Sequence, residues 1–172
     1  MQPTVRELKP HEADVLGELM VRVYSDLAGF PGPLEQPDYY KMLRNIGAFA
    51  NKPSARVLVA LSPTDELFGG IVYFGDMAHY GSGGTATSET DASGIRLLSI
   101  DPKFRRGGAG KALTEACINL ARKSGHSHVI LHTTKAMLIA WNLYERLGFV
   151  RSADLDFSQQ GLAVFGFRLK LR

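Results

Sequence analysis

A strand, a glycine-rich basic turn and a helix follow one another in the second half of this chain. The apolar segment 94–100 predicts a buried strand, and residues 109–123 carry apolar side chains at the i, i+3, i+4 spacing of an amphipathic helix. The turn between them contains the run Arg105-Arg106-Gly107-Gly108-Ala109-Gly110-Lys111. Backbone N–H groups at a helix start have no helical partners and can hold an anion. The run therefore predicts an anion-binding turn inside an α/β unit.

Two common phosphate-binding motifs do not fit this turn. A Walker A loop needs a glycine five residues before its Gly-Lys pair and a Ser or Thr after it. Arg105 and Ala112 stand at these two positions. A dinucleotide-binding Gly-x-Gly-x-x-Gly needs a small third residue, and this chain has Leu113 there. The sequence thus argues against a P-loop NTPase and against a Rossmann dinucleotide fold.

The composition is that of a globular protein. The 172 residues are 45% hydrophobic and 22% charged, with a net charge of +3, and the basic residues are scattered rather than massed. No apolar run reaches the length of about 20 residues that spans a bilayer, and the first residues lack the apolar stretch of a signal peptide. The single cysteine, Cys117, excludes an internal disulfide. We therefore expect a cytoplasmic protein without a nucleic-acid or membrane partner, and Cys117 as a core residue.

Hydrophobic periodicity along the whole chain predicts one α/β (α+β) domain over residues 1–172. Its mixed central sheet has about six or seven strands, flanked by about four helices. The predicted strands are 3–8, 56–61, 67–74, 94–100, 128–133 and two closing strands near 149–157 and 162–171, and the predicted helices are 13–27, 39–51, 109–123 and 137–147. The Gly- and Ser-rich segment 81–93 is predicted to be either a mobile surface loop or a flap over a substrate entrance.

Two motifs together resemble the GNAT (GCN5-related N-acetyltransferase) superfamily. The first is Arg105-x-x-Gly108-x-Gly110 after a strand, which resembles that family's acyl-CoA pyrophosphate loop. The second is segment 140–149, Ala-Trp-Asn-Leu-Tyr-Glu-Arg-Leu-Gly-Phe, which looks like the family's fourth-helix signature. The close match covers about residues 94–150. The resemblance implies a GNAT-like domain whose fourth and fifth strands splay apart into a cofactor slot.

The resemblance also implies acetyl-CoA as the co-substrate. Backbone groups of the turn would then donate to its pyrophosphate, with the two arginines adding positive charge; alternatively, the arginines only form a solvated basic turn. Backbone groups of the preceding strand would bind the pantetheine arm as an added strand does. The implied cofactor-binding residues are Leu98, Ser99, Ile100, Arg105, Arg106, Gly107, Gly108, Ala109, Gly110 and Lys111.

Tyr144 and His132 are the candidate catalytic residues. By resemblance, the phenol of Tyr144 would protonate the departing thiolate; alternatively, it packs on the helix face. His132 stands twelve residues earlier, where some family members place a carboxylate base. Its imidazole would take the amine proton; alternatively, its hydrogen bonds are satisfied within the sheet. Weaker candidates for the base are Asp76, His79 and Glu89.

Two details limit what else the motifs imply. Met137 stands where many family members carry an asparagine that contacts the cofactor. His126, His128 and His132 have a loose ligand-like spacing, but no carboxylate or cysteine completes a tetrahedral set, so no metal is expected.

The motifs together predict an acyl-CoA-dependent N-acyltransferase. It would move acetyl from acetyl-CoA to a primary amine by direct attack in a ternary complex. No cysteine stands at a plausible nucleophile position, which disfavours a covalent acyl-enzyme. The alternative is a non-catalytic acyl-CoA-binding or sensing module on the same fold. The acceptor is a small-molecule or peptide amine, and pairing into a homodimer through the last strands is compatible with the sequence.

Overall fold

Eight strands and four α-helices form the part of the chain that the computed structural model describes, residues 2–172. The strands are β1 (Thr4–Glu7), β2 (Ala55–Leu61), β3 (Leu67–Phe74), β4 (Ala92–Ile100), β5 (His128–Thr133), β6 (Val150–Arg151), β7 (Phe157–Gln159) and β8 (Leu162–Lys170). The helices are α1 (Ala13–Ser25), α2 (Pro37–Arg44), α3 (Ala109–Lys123) and α4 (Leu138–Arg146). None of these helices combines the length and the apolar character needed to cross a membrane.

The strands form a mixed sheet in the order β1-β2-β3-β4-β5-β8-β6, and β7 pairs with β8 beside this path. Neighbouring strands are antiparallel except β4 and β5, which are parallel. A parallel pair needs a crossover connection, and α3 provides it between β4 and β5. The glycine-rich turn therefore lies at the carboxyl end of β4, the edge where ligands bind in such units.

Two hydrophobic cores cover the two faces of the sheet. The side chains of β2 alternate between them, as a strand with two buried faces does. Val57 and Val59 belong to the core that contains residues of α1 and α2, which we call the first core. Leu58 and Ala60 belong to the core that contains residues of α3 and α4, the second core. A ligand that contacts both sides has to pass through an opening in the sheet.

Such an opening lies between β4 and β5. The two strands pair only along Ala92–Ile95 and His128–Leu131. Just beyond, Leu97 has a φ of 64°, and the β3–β4 register shifts between Gly70 and Val72, which marks a β-bulge in β4. Past the bulge, β4 has no pairing with β5 in residues 2–172. This confirms the splayed β4/β5 slot.

The predicted fold class is confirmed, with a local difference at α2. The helix predicted over 39–51 ends at Arg44, and the chain continues as a 3-10 segment, Ile46–Asn51. Gly47 explains why the segment follows the surface of α1 there. A Cβ at this position would lie 2.8 Å from the Cβ of Ala13, so only glycine permits this approach.

The closing strand predicted near 149–157 is divided into β6 and β7, which brings the strands to eight rather than six or seven. A 3-10 turn, Ala153–Leu155, separates the two pieces. Arg151 and Asp156 brace this turn with an ion pair of 2.7 Å between Nη2 and Oδ2. Asp156 Oδ1 also accepts the backbone N–H of Gly166, at 2.7 Å. The division turns Leu155 inward, where it is fully buried.

Candidate active site

The turn before α3 leaves a row of backbone N–H groups without partners. Gly108, the N-cap of α3, has a φ of 82°, and Arg106 has a φ of 72°, so both lie in the left-handed region. Outside the regular elements of residues 2–172, no backbone hydrogen bond is donated by residues 106–111. A helix also leaves its first N–H groups without intrahelical acceptors. Successive amides around a left-handed residue form an anion-binding concavity.

The side chains around this turn are positively charged. Lys103, Arg105, Arg106 and Lys111 are all exposed, and none of them has an ion-pair partner in the described part of the chain. The dipole of α3 adds partial positive charge at the same end. The turn is thus electrostatically suited to a polyanion.

The glycines of the turn differ in what they permit. At Gly108, no atom lies within 4 Å of where a Cβ would stand, so the space above the N-cap is open. At Gly110, a Cβ would lie 3.3 Å from Cδ2 of Leu143, so this glycine lets α3 approach α4 closely. Ala109 is buried. The side-chain positions of Ala109 and Gly110 therefore set how α3 packs, whereas Gly107 and Gly108 stay exposed.

Beyond the bulge, β4 is paired with β3 but is open on the side that faces β5. The residues of this open edge are Leu98, Ser99 and Ile100. Ser99 is buried, and the side chains of Leu98 and Ile100 pack against the second core. The carbonyl oxygen of Leu98 accepts a hydrogen bond from the Tyr24 hydroxyl at 3.1 Å. Tyr24 belongs to the first core, so this bond runs from the α1 side to the slot.

Tyr144 extends from α4 into the second core beside Phe149, with 5.8 Å between the ring centroids. Burial raises the pKa of its phenol, and nearby Tyr80 and Cys117 add to the effect. The phenol is therefore protonated at neutral pH. The tyrosine hydroxyls with hydrogen-bond partners in residues 2–172 are those of Tyr24, Tyr40, Tyr73 and Tyr80. Tyr144 is not among them, which leaves its proton free for a bound ligand.

A cavity of about 90 Å³ lies on the first-core side of the slot. Its walls come from α1, α2, β4, β5, β7 and β8 and from the loops between them. The lining residues are Tyr24, Phe30, Pro31, Gln36, Tyr39, Tyr80, Ser82, Arg96, Leu97, His132, Thr133, Thr134, Met137, Phe157, Gln159, Leu162 and Val164. We call it the acceptor cavity, after the amine acceptor that the sequence motifs predict; the bulged strand, His132 and the Tyr24–Leu98 bond meet there.

His132 enters this cavity with both ring nitrogens hydrogen-bonded. Nε2 lies 2.8 Å from the carbonyl oxygen of Leu155, and Nδ1 lies 2.8 Å from the Tyr80 hydroxyl. A carbonyl only accepts, so Nε2 carries the proton and Nδ1 accepts from Tyr80. Burial lowers the pKa of His132 below 6.5. The imidazole is therefore neutral at pH 7, and its Nδ1 is occupied by the Tyr80 hydroxyl.

The weaker base candidates are engaged elsewhere. Glu89 pairs with Arg168 at 2.9 Å. Asp76 caps a 3-10 turn by accepting from the backbone N–H of Ala78, and its Oδ2 lies 3.9 Å from Nε2 of His79. None of these three base candidates lines the acceptor cavity.

Cys117 is fully buried, as expected of a core residue, and burial raises the pKa of its thiol. Of the segment 81–93, the last two residues belong to β4 and Ala86–Ser88 form a 3-10 turn, while two of its glycines pack on β7. At Gly83, a Cβ would lie 2.8 Å from the Phe157 ring, which in turn meets His132 edge-on with 5.1 Å between centroids.

Tyr80 and Arg96 were not singled out in the sequence. Tyr80 ends a short 3-10 segment, and Arg96 lies on β4 directly before the bulge. The one sequence signal for Arg96 was a charge inside an otherwise apolar strand, Ile95-Arg96-Leu97-Leu98.

A mixed sheet opened at its parallel pair, with an anion-binding turn at one end of the slot and a cavity at the other, defines an acyl-CoA-type transferase fold. The chain belongs to the acetyltransferase (GNAT) family, whose family model matches residues 20–149. This confirms the resemblance seen in the two motifs.

Solved structures share this fold over the whole chain. An acetyltransferase of the GNAT family from Staphylococcus aureus has a TM-score of 0.76 at 16% identity, with 99% of this chain and 100% of that one covered. The acetyltransferase yncA from Salmonella typhimurium, solved with its cofactor acetyl-CoA, has a TM-score of 0.69 at 16% identity, with 100% and 95% covered. At these identities the likeness concerns the fold alone.

Curated relatives are similar over shorter stretches. N-acetylaspartate synthetase from Danio rerio is 38% identical over 69 residues, which is 40% of this chain and 24% of that protein. The matched stretches span about a quarter to a third of the curated relatives' length.

Proposed function

We propose that this protein is an N-acetyltransferase that transfers acetyl from acetyl-CoA to a primary amine. The observation that carries the proposal is the slot between β4 and β5, which joins an anion-binding turn to the acceptor cavity. The family match and the acetyl-CoA in the yncA structure support the choice of donor.

Acetyl-CoA would lie along the slot. Its pyrophosphate would accept hydrogen bonds from the free N–H groups of residues 106–111, under the charges of Arg105 and Arg106. Its pantetheine amides would pair with the open edge of β4 at Leu98–Ile100, as an added strand does. This arrangement brings the thioester toward the bulge at Leu97, between the two cores.

The chemistry is direct attack of the amine nitrogen on the thioester carbonyl carbon. The C–N bond forms, the C–S bond breaks, and the departing thiolate takes a proton from Tyr144, which solvent then reprotonates. Burial suits Tyr144 to this step because it keeps the phenol protonated. Cys117 takes no part, because it is fully buried with a raised thiol pKa.

His132 would take the amine proton through Tyr80. The Tyr80 hydroxyl donates its own proton to Nδ1 while its oxygen accepts the proton from the attacking amine. Nε2–H stays on the Leu155 carbonyl, which holds the ring orientation and favours the positive charge that develops on the imidazole. The oriented hydrogen-bond chain replaces direct contact between the amine and the imidazole.

The test uses the intact protein in two assays. Calorimetry measures acetyl-CoA binding, and a thiol-release assay measures turnover over a panel of amino acids, polyamines, aminoglycosides and peptides. Binding together with acceptor-dependent thiol release supports the transferase. Binding without turnover for every acceptor favours the acyl-CoA-sensing alternative, which is consistent with both nitrogens of His132 being engaged. No binding of any acyl-CoA overturns both functions.

A further inference from the structure

The acceptor cavity has an unusual charge distribution for a site that receives an amine. Its lining contains no Asp or Glu, and Arg96 is its one Lys or Arg. A polycationic acceptor such as a polyamine would require carboxylates, because buried cations need partners. The cavity therefore disfavours polycations and favours an acceptor that carries negative charge.

Arg96 is half-buried and has no carboxylate partner. The half-buried arginines of residues 2–172 are Arg6, Arg96, Arg151 and Arg168. Three of these pair with carboxylates: Arg6 with Glu12 at 2.8 Å, Arg151 with Asp156 at 2.7 Å, and Arg168 with Asp154 at 2.8 Å. Burial of a charge is costly without an opposite charge. Arg96 alone among them lacks one within the described chain.

The contacts of Arg96 are those of an arginine held in place for a ligand. Nη1 donates to the carbonyl oxygen of Tyr80 at 3.0 Å, and Nη2 lies 3.9 Å from Sδ of Met42. The guanidinium carbon stands 5.9 Å from the Tyr80 ring centroid and 6.0 Å from that of Phe49. These contacts fix the plane of the guanidinium while leaving N–H donors unused, because arginine has five. A carboxylate matches such a fork.

A second cavity continues the positive charge beyond Arg96. It measures about 340 Å³, shares Tyr80 and Arg96 with the acceptor cavity, and is also lined by Lys52 and His79 but by no Asp or Glu. Lys52 Nζ lies 5.6 Å from the centroid of Phe49, the ring that also meets Arg96. The two cations therefore lie near the same aromatic ring, and no Asp or Glu lines either cavity.

Two further features of the acceptor cavity fit an amino acid. Thr134 is 3% exposed, and its Oγ1 is a buried polar side-chain atom without a hydrogen-bond partner in residues 2–172. The rings of Tyr24, Phe30 and Tyr39 stand within 5.6 to 6.1 Å of one another and offer an apolar wall. A polar group and an apolar body can thus both be accommodated.

We propose that the acceptor is an amine that also carries a carboxylate, as a free amino acid does, and that Arg96 binds the carboxylate. The apolar side chain of this amino acid lies against the aromatic wall, and the amine of the amino acid faces the Tyr80 hydroxyl. This inference rests on the proposed function and names its substrate class.

The experiment compares three acceptors that differ only at the carboxylate: phenylalanine, phenylalaninamide and phenethylamine. At saturating acetyl-CoA, we expect kcat/KM for phenylalanine to exceed that of the other two by about 10- to 100-fold, the effect of a charge-assisted hydrogen bond. Arg96→Gln should remove this preference by raising KM for phenylalanine, with little change for the two analogues that lack a carboxylate. Arg44→Gln, an exposed arginine on α2, is the matched control and should keep the preference.

Calorimetry with acetyl-CoA checks that each variant is folded. Arg96→Lys tests whether a positive charge at this position suffices without the paired N–H donors of the guanidinium. Equal or better turnover of the two analogues by the wild type overturns the proposal, as does an equal loss for all three in Arg96→Gln. If acetyl-CoA binds but nothing turns over, calorimetry of the CoA-loaded protein with the twenty amino acids decides. Absence of binding there also overturns the proposal. Loss of acetyl-CoA binding in the wild type instead contradicts the proposed function.

Discussion

The glycine-rich turn and the acceptor cavity are built from different parts of the chain. The turn uses consecutive residues, 105–111, and the backbone N–H groups of residues 106–111 have no acceptor in the described chain. The cavity uses side chains from six elements, and its central groups, Tyr80, Arg96 and His132, come from separate segments. Backbone groups recognise what all donors of one kind share, whereas side chains recognise what distinguishes one acceptor. The difference explains why a local sequence motif marks the turn in this chain and none marks the cavity.

The largest expected effect concerns the turn. Gly108→Glu should weaken acetyl-CoA binding by more than about 100-fold, because the carboxylate would fill the open space above the N-cap and repel the pyrophosphate that we propose binds there. Gly161→Glu is the matched control, since Gly161 also has a left-handed φ, 85°, and open space around it. Calorimetry with acetyl-CoA measures both. Equal weakening in the two variants would mean that backbone strain, not the turn, is responsible.

The next effect lies on the second-core side of the slot. Tyr144→Phe should lower kcat by about 10²- to 10⁴-fold, the usual range for a general acid, and leave acetyl-CoA affinity unchanged. Thiol release at saturating substrates gives kcat, and calorimetry gives the affinity. An unchanged kcat would show that Tyr144 only packs against Phe149.

A smaller effect is expected in the acceptor cavity. Tyr80→Phe should lower kcat by about 10²-fold, the lower end of the range for general bases, because a water molecule can partly replace the hydroxyl. Tyr73→Phe is the control, as its hydroxyl is bonded to Ser93 at 2.8 Å in the second core. If both variants retain full turnover, the amine proton leaves by another route than Tyr80 and His132.

The smallest effect is a pH dependence of stability. The folded pKa of His132 lies below its unfolded value of 6.5, because burial disfavours the imidazolium. Below pH 6.5 the unfolded chain thus binds the proton more readily, and this histidine costs stability as the pH falls. The variant His132→Gln lacks this cost. It should therefore be less stable than the wild type by a smaller margin at about pH 5 than at about pH 8. Urea denaturation at both pH values measures it; a constant deficit would contradict the assignment.

The elements whose packing is local could be predicted from the sequence. The bounds of α3 and β5 agree with 109–123 and 128–133, because apolar spacing and a following glycine determine them. The division of the closing strand could not, since the Arg151–Asp156 ion pair and the inward turn of Leu155 depend on Gly166 in another strand.

The candidate site divides in the same way. Tyr144 and the turn follow from motifs, and their assigned roles stay predictions for the experiments above. His132 was singled out by its position, but its bond to Tyr80 joins residues 52 positions apart, which no local pattern contains. Arg96 differs again, because it is singled out by having no carboxylate partner in the folded structure. The absence of a tertiary partner cannot be seen before the chain is folded.

The bulge in β4 also has a mechanical consequence. β4 and β5 join the two halves of the sheet through Ala92–Ile95 and His128–Leu131, the shortest of its interior pairings. The centre of a sheet is usually its most rigid part, but in this sheet it is the part with the fewest pairings between strands. A ligand lying in the slot would contact both β4 and β5. Its binding would stabilise the folded state by an amount that grows with the logarithm of the ligand concentration. The melting temperature would then rise with the concentration of the acetyl donor. Hydrogen exchange of the backbone amides along β4 would become slower.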